Sequence, residues 1–433
     1  MTVRELCALL RTPARSKAVK AMASASGGTV CGVAGSSAAV MLGMLPAEAG
    51  RPVLVVGDSL DDAGYLYHDL CRVAEGGEAA VAMFPSGYKR DIKYGQADEA
   101  ARILRTEALN RIADTSGPLR YVVSYPEALA ERVASVEELS DNTLRLRKGE
   151  SHDPQEIVGW LRSKGFAETD YVFEPGQFAL RGSILDIFAY SSELPVRIDF
   201  FGDEVDSVRT FNVETQLSET QLDDVAVTAQ SAGGRSGRLS LLDFMRTDTI
   251  VALRNESFTV ERLRAVAAEE MSGSTLMADE GDACALDNVI DPDAFAAVLA
   301  TRCRVAFTAA AAAETSAPSA AGRRRSSPML DFQCSPQGIY HKNFDLISES
   351  FTSLAADGYK IYILSDNDKQ FERLRVIFED RGDKIDFTAV DGTLHEGFVD
   401  HAMKICAFTD HQIFDRFHKY TLKSDRARSG RLA

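Results

Sequence analysis

The chain has 433 residues, of which 45% are hydrophobic and 26% charged, enough for roughly two to four domains with their own apolar cores. Its formal net charge of −16 argues against broad nonspecific binding to DNA, because phosphate contacts need an excess of Lys and Arg. A local basic patch remains an open possibility.

The seven cysteines are scattered and include no C-x-x-C pair, which favours buried thiols in a reducing compartment over a metal site. The first residues, "MTVRELCALL", are too few and too charged for a signal peptide. No apolar run reaches the roughly 18 residues that a membrane crossing needs. We therefore expect a cytoplasmic protein with no metal ligands and no membrane partner.

Residues 28–137 alternate between short apolar runs and amphipathic stretches. The run Val53–Val56 is followed by a polar turn and a helical pattern, which is typical of a parallel sheet covered on both faces. This segment is predicted to be an α/β lobe, and it opens on "TVCGVAGSSAAVML" at 29–42. That stretch has the outline of a phosphate-binding loop, an apolar strand that turns into a helix.

The loop lacks the side chains that would hold a nucleotide. A G-x-x-x-x-G-K-[ST] loop uses a lysine for the terminal phosphates and a hydroxyl for Mg²⁺. When the pattern is counted from Gly32, with Gly35 inside the turn, Ser37 stands at the position of the second glycine. Ala38 stands at the position of the lysine and Ala39 at that of the hydroxyl. Without the lysine, and without the Mg²⁺ that the hydroxyl would bind, the loop cannot support phosphoryl transfer. We therefore predict a degenerate, non-functional loop that serves as scaffold.

Residues 138–222 have a different pattern of hydrophobic residues and are predicted to form an inserted α+β domain. The helix "DPQEIVGWLRSKGF" is followed by residues that alternate with a period of two, as in antiparallel strands. The stretch at 193–216 is typical of a hairpin that turns at Gly202 and Asp203.

Strand parity singles out one face of this predicted sheet. In "VRIDFF" the apolar residues Val196, Ile198 and Phe200 face a core, so Arg197 and Phe201 share the opposite face. By the same parity Arg181 joins them if the strands pair. Aromatic residues and arginine are enriched at protein interfaces, although surface arginines also commonly pair with nearby acids.

The remaining segments return to α/β character. Residues 1–27 and 223–338 are predicted to form a second lobe, interrupted by the low-complexity linker 309–328. Residues 339–412 alternate regularly between helical and strand patterns, which indicates a separate small α/β domain of unknown role. Residues 413–433 are a basic, polar tail, and we expect the chain to be a fragment.

Two stretches carry a family resemblance, "FEPGQFALRGSILDIF" at 173–188 and "ELPVRIDFFGDEVDSVRTFNVETQ" at 193–216. Together they resemble the UvrA-interacting domain shared by UvrB and the bacterial transcription-repair coupling factors, the Mfd family. UvrB carries an intact phosphate loop followed by a long aromatic hairpin, and both are missing here. The stretch "LHEGFVDHAMKICAFTDHQIFDRF" at 394–417 also looks like the end of the third domain of the coupling factors.

The resemblance implies an α/β multi-domain fold. UvrB-like lobes with a degenerate phosphate loop hold the inserted antiparallel UvrA-interaction domain, and a separate small α/β domain follows. It implies that Arg181, Arg197 and Phe201 contact UvrA, with the arginines giving bidentate bonds to a partner carboxylate.

In this family the domain recruits UvrA to lesions where RNA polymerase has stalled, and also folds back on the protein's own C-terminal region as an autoinhibitory clamp. Displacement of polymerase by an ATP-driven DNA translocase would need segments beyond this chain. ATP and Mg²⁺ are expected only there, so this chain is expected to have no cofactor and no enzymatic activity.

Two alternatives stay open. The chain could be a P-loop ATPase of the UvrB type, which the missing lysine argues against. It could instead be a DNA-binding repair module that uses Arg323–Arg325 and the basic tail, which the acidic total charge argues against.

Overall fold

The structure is a computed structural model that describes residues 1–87, 99–190, 192, 194–229, 239–277, 289–310 and 328–416, with the backbone alone at 99 and 270–277. Most of the predicted linker, including Arg323–Arg325, and most of the predicted tail lie outside the described residues.

The strands, in chain order, are β1 Gly27–Cys31, β2 Val53–Val56, β3 Val81–Met83, β4 Tyr121–Ser124, β5 Thr143–Arg147, β6 Ala167–Glu168, β7 Gln177–Arg181, β8 Ile184–Phe188, β9 Val196–Phe201, β10 Glu204–Phe211, β11 Ser218–Leu222, β12 Asp224–Thr228, β13 Ile250–Leu253, β14 Cys303–Phe307, β15 Met329–Asp331, β16 Cys334–Pro336, β17 Lys360–Ser365, β18 Thr388–Asp391, β19 Phe398–Asp400 and β20 Ile405–Thr409.

The α-helices are α1 Val3–Leu10, α2 Pro13–Ser24, α3 Ser37–Leu42, α4 Leu45–Ala49, α5 Leu60–Val73, α6 Glu99–Ala113, α7 Pro126–Leu129, α8 Val136–Asp141, α9 Pro154–Ser163, α10 Leu241–Phe244, α11 Glu256–Met277, α12 Pro292–Thr301, α13 Phe344–Ala356, α14 Asp368–Asp380 and α15 Asp410–Ile413. In the part of the chain that the structure describes, no helix combines the length and apolar character that crossing a membrane requires.

The first sheet has seven parallel strands in the order β15-β1-β14-β13-β2-β4-β3. Every residue of β2 and of β13 is buried, as expected of central parallel strands with helices on both faces. Strands from both predicted lobes, 28–137 and 223–338, belong to this one sheet. Local periodicity predicts strands but not their order, which crossover connections decide.

The second sheet carries the inserted unit and runs β11-β10-β9-β8-β7-β6, beside the two-stranded pair β12-β5. Its pairs are antiparallel except that of β6 and β7. Helix α9 packs on one face with Ile157 and Leu161. The predicted hairpin is confirmed, since β9 pairs with β10 around Gly202, whose φ of +64° suits glycine. Strand β12 returns to pair with β5, so the unit extends beyond residue 222.

The third sheet has the order β16-β19-β20-β17-β18, in which β17 is parallel to both of its neighbours. One face packs against α13 and α14 in an apolar cluster that includes Phe351 and Leu374. On the other face Leu364 and Phe398 join the apolar cluster of the first sheet. The predicted separate domain therefore has its own core on one face and shares a core on the other.

Candidate protein-binding surface

Three neighbouring strands bring the predicted residues to one face of the antiparallel sheet. Arg181 ends β7, while Arg197 lies near the start of β9 and Phe201 ends it. Strand β8 runs between β7 and β9, so the two arginines are not on paired strands. Asp186 of β8 stands in register with Arg197 and lies between them. The predicted parity of β9 is confirmed, because its residues alternate between buried and more exposed positions.

The two arginines share the carboxylate of Asp186, which is fully buried. Arg197 Nε donates to Asp186 Oδ1 at 2.7 Å and Arg197 Nη2 donates to Oδ2 at 2.8 Å, which is a bidentate pair. Arg181 Nη2 donates to the same Oδ2. Two guanidinium groups and one carboxylate leave this cluster with one net positive charge.

Arg197 is held tightly within the chain. Its side chain is only 14% exposed, it lies over the ring of Phe211 at 4.4 Å, and its Nη1 donates to the Gln216 carbonyl at 3.1 Å. The hydrogen bond to Asp186 raises the pKa of the Arg197 guanidinium further above its usual range, so the group stays charged. A bidentate bond from Arg197 to a partner, as expected from the sequence, would require it to leave Asp186.

Arg181 is the more accessible of the two arginines, with 32% of its side chain exposed. Its Nη1 donates to the Asp170 carbonyl at 3.2 Å, and its guanidinium carbon lies 4.5 Å from the centre of the Tyr171 ring. The charge of Arg181 therefore reaches solvent beside an aromatic ring.

Phe201 is 83% exposed at the end of β9. Beside it on the same strand, Asp199 accepts hydrogen bonds from Ser207 and Arg209 of β10. Among the large hydrophobic side chains that the structure describes as exposed, Phe201 has the largest exposed fraction, and aromatic residues are enriched among the residues that anchor protein interfaces. Phe201 therefore marks the apolar end of the surface, and Arg181 marks its cationic end.

Sequence reasoning missed Asp186 as a member of this cluster. The signal was present, because an acid between Leu185 and Ile187 interrupts an otherwise apolar buried strand. Buried carboxylates are rare unless they are paired. Its two partners could be identified only once β8 was placed between β7 and β9.

The predicted phosphate loop lies elsewhere, at the carboxyl end of β1. Gly32 and Gly35 have positive φ angles of +63° and +51°, and α3 begins at Ser37. Ser37, Ala38 and Ala39 are all buried. The Oγ of Ser37 accepts a hydrogen bond from the Ala34 N–H at 2.8 Å, inside the loop itself.

The loop preceding β19 covers this turn. The Ser36 N–H donates to the Glu396 carbonyl at 3.2 Å, and a Cβ added at Gly35 would lie 2.7 Å from the Gly397 carbonyl oxygen. The loop before β19 therefore packs directly against the turn after β1. Within the described ranges, no group of three His, Cys, Asp or Glu side chains is arranged to hold a metal ion.

Comparison with known proteins shows what the sheet that carries Arg181, Arg197 and Phe201 is similar to. Residues 144–232 match the family model described as the UvrB interaction domain. The chain is also 28% identical over 198 residues to the transcription-repair-coupling factor of Bacillus subtilis, a match that covers 46% of this chain and 16% of that relative. In this part of its length the chain is similar to transcription-repair-coupling factors.

Two further coupling factors match within a shorter segment. The one from Escherichia coli is 37% identical over 97 residues and the one from Haemophilus influenzae 35% identical over 97 residues, each covering 22% of this chain and 8% of the relative. The chain therefore aligns with only a small part of the length of its relatives. The predicted resemblance is confirmed, and the matched UvrB interaction domain extends past residue 222 to include β12.

Proposed function

We propose that this chain recruits UvrA to sites where a transcription-repair-coupling factor has found stalled RNA polymerase. The surface of the UvrB interaction domain formed by Arg181, Asp186, Arg197 and Phe201 would bind UvrA. The observation that carries the proposal is the net positive pair of arginines on the same sheet face as an exposed phenylalanine. A protein interface built on an aromatic anchor and arginine fits this pattern.

The two arginines have different roles in this proposal. Arg181 is partly exposed and can direct its charge to a carboxylate of UvrA. Arg197 is almost fully enclosed and holds Asp186, which in turn orients Arg181. Phe201 supplies apolar area that water leaves on binding.

We also propose that this chain does no ATP chemistry and holds no cofactor. In this proposal its first sheet is a UvrB-like α/β domain whose phosphate loop has become scaffold. The missing lysine and Mg²⁺ hydroxyl support this, as does the packing of Gly397 against Gly35. Titration with a fluorescent ATP analogue should give no saturable binding, and binding together with turnover would favour the P-loop ATPase alternative.

The activities of the whole coupling factor are proposed for regions outside this chain. These are ATP- and Mg²⁺-dependent translocation on DNA, displacement of RNA polymerase, and a C-terminal region onto which the UvrA-binding face folds in the resting protein. A factor that works on transcribed DNA would be cytoplasmic. DNA binding through Arg323–Arg325 is the remaining alternative, and salt-dependent binding of duplex DNA that is lost on substituting these arginines would favour it.

The binding of purified UvrA to variants of this chain tests the proposal. Arg181→Ala and Phe201→Ala should each weaken binding about tenfold or more, the loss typical of a central interface residue. Arg264→Ala and Phe258→Ala are matched controls, because both residues are exposed on α11, away from the antiparallel sheet. Unchanged affinity in both Arg181→Ala and Phe201→Ala would refute the assignment.

A further inference from the structure

Tyr171 lies beside the proposed UvrA-binding residues, although neither the motif nor strand parity selects it. It sits in the loop between β6 and β7 and is 52% exposed. The guanidinium of Arg181 stacks over its ring at 4.5 Å. The same arginine donates to the carbonyl of Asp170, so the loop backbone and the ring are both attached to Arg181.

The loop that carries Tyr171 is fixed to the sheet on both sides of the ring. Thr169 N–H donates to the Phe178 carbonyl at 2.9 Å, and Phe173 N–H donates to Gln177 Oε1 at 2.9 Å. Between them Val172 is fully buried in a small apolar cluster on this face of the sheet, with the members Ala179, Phe188 and Phe211. The ring of Tyr171 is therefore held in place before any partner arrives, which lowers the entropy cost of binding.

A second link joins this loop to Arg197. Gln216 accepts from Arg197 through its carbonyl, and Gln216 Nε2 approaches the Val172 carbonyl at 3.5 Å. The buried arginine, the exposed arginine and the Tyr171 loop thus form one connected polar network on top of the apolar cluster. A network that is bonded throughout keeps its members in one arrangement.

We propose that Tyr171 is a further UvrA-contacting residue, and that the partner segment presents a carboxylate flanked by apolar side chains. This rests on the proposed function. The cluster of Arg181, Arg197 and Asp186 carries one net positive charge, and Arg181 is the more exposed of its two arginines, so a carboxylate is the partner group that complements it. The carboxylate would bind Arg181, while Tyr171 and Phe201 receive apolar groups on either side.

Binding of purified UvrA tests this with a pair of substitutions at one position. Tyr171→Ala should weaken binding about five- to tenfold, since it removes aromatic area and the stack that orients Arg181. Tyr171→Phe should keep most of the affinity, because the ring remains. Phe258→Ala is the control, since Phe258 is an aromatic residue on α11 that is 41% exposed. Full affinity in Tyr171→Ala, with binding lost in Arg181→Ala, would overturn the role of Tyr171 alone.

A crosslinking measurement keeps the proposal testable if Tyr171→Ala fails to fold. A benzophenone amino acid placed at position 171 should crosslink to UvrA on irradiation, and the same group at position 258 should not. Absence of a crosslink at 171 in a complex that still forms would contradict the contact. If Arg181→Ala and Phe201→Ala also bind UvrA as the wild type does, the proposed function itself fails, which is a distinguishable result.

Discussion

Ser36 and Glu396 exchange two hydrogen bonds although they lie 360 positions apart in the chain. The Ser36 N–H donates to the Glu396 carbonyl at 3.2 Å, and the Glu396 N–H donates to Ser36 Oγ at 2.9 Å. Ser36 Oγ also donates to Asp69 Oδ2, and Asp69 Oδ1 accepts from the His395 N–H at 2.7 Å. The turn after β1 and the loop before β19 are therefore joined by buried and partly buried hydrogen bonds.

Removing the Ser36 hydroxyl should weaken this junction. Ser36→Ala removes a hydrogen-bond donor from the buried Asp69 carboxylate and an acceptor from the partly buried Glu396 N–H, which costs about 1–3 kcal/mol of unfolding free energy. Urea denaturation measures the loss. Ser24→Ala is the control, because Ser24 is exposed and bonds only locally to the Lys20 carbonyl. Equal stability of the two variants would contradict the role of Ser36.

Asp69 should make stability depend on pH. Burial raises the pKa of its carboxyl group from 3.8 to about 7, so the folded chain holds this proton more tightly than the unfolded chain. The stabilising contribution is complete below about pH 4. It falls by about 1.4 kcal/mol per pH unit up to about pH 7 and then levels off.

The variant Asp69→Asn isolates that contribution, because asparagine imitates the protonated acid. The stability of Asp69→Asn relative to the wild type should rise between pH 5 and pH 8, as followed by urea denaturation at each pH. Asp61→Asn is the control, since Asp61 is exposed on the same helix. A difference between Asp69→Asn and the wild type that stays constant across this range would exclude Asp69 as the titrating group.

Arg15 of α2 and Asp400 of β19 form a buried ion pair at 2.7 Å. Arg15 also donates to the Leu10 and Phe332 carbonyls. Arg15→Met should reduce the free energy of unfolding by about 3–5 kcal/mol, because it leaves the Asp400 charge buried without its cation.

A second ion pair provides the matched comparison for Arg15→Met. Arg72 and Asp366 link the first sheet's helices to the third sheet's unit at 3.1 Å, but both side chains are more than one third exposed. Arg72→Met should therefore cost less than about 1 kcal/mol. Thermal or urea unfolding measures the loss of unfolding free energy in each variant. Losses of similar size in Arg15→Met and Arg72→Met would contradict the expectation that burial makes the Arg15–Asp400 pair the more costly one to break.

Asp186 should matter for stability as well as for UvrA binding. Asp186→Asn leaves the enclosed Arg197 guanidinium without its counter-charge, which should lower the free energy of unfolding. We expect a loss of about 3 kcal/mol, at the low end for a buried ion pair, because water still solvates part of Arg181. Asp199→Asn is the control, since Asp199 is partly exposed beside Arg209 and should cost less than about 1 kcal/mol. Equal losses of unfolding free energy in Asp186→Asn and Asp199→Asn, measured by urea denaturation, would contradict the role of Asp186 as the shared counter-charge of the two arginines.

The antiparallel sheet was largely readable from the sequence. A period of two decides which side of a strand each residue occupies, so parity alone placed Arg197 and Phe201 opposite Val196, Ile198 and Phe200. The turn at Gly202 followed from local chemistry. Parity does not say which strands are neighbours, and for that reason the insertion of β8, with Asp186 between the arginines, was not predicted. The assignment of Arg181, Arg197 and Phe201 to UvrA binding stays a prediction.

The mixed α/β class, with a parallel sheet and an antiparallel sheet, is confirmed by the structure. The arrangement of the parallel part was not predictable in the same way. Strands such as β2 and β13 are apolar throughout. Their sequences therefore do not indicate which face of the sheet each residue occupies, or which strands are neighbours. The shared core beneath the third sheet escaped prediction for a related reason, since β20 is buried on both faces.

By itself the sequence determined which groups are available. It has alanines, Ala38 and Ala39, where a phosphate-binding loop that starts at Gly32 would have its lysine and its Mg²⁺-binding hydroxyl, and it has the two-arginine motif with Phe201, because residue identity and strand parity are local properties. Only the tertiary structure decided what those groups meet. The Glu396 backbone packs on the turn after β1, and Asp186 is shared by two arginines. Both arrangements depend on contacts between segments that are distant in the chain, and the spatial order of the strands in the folded sheets decides such contacts.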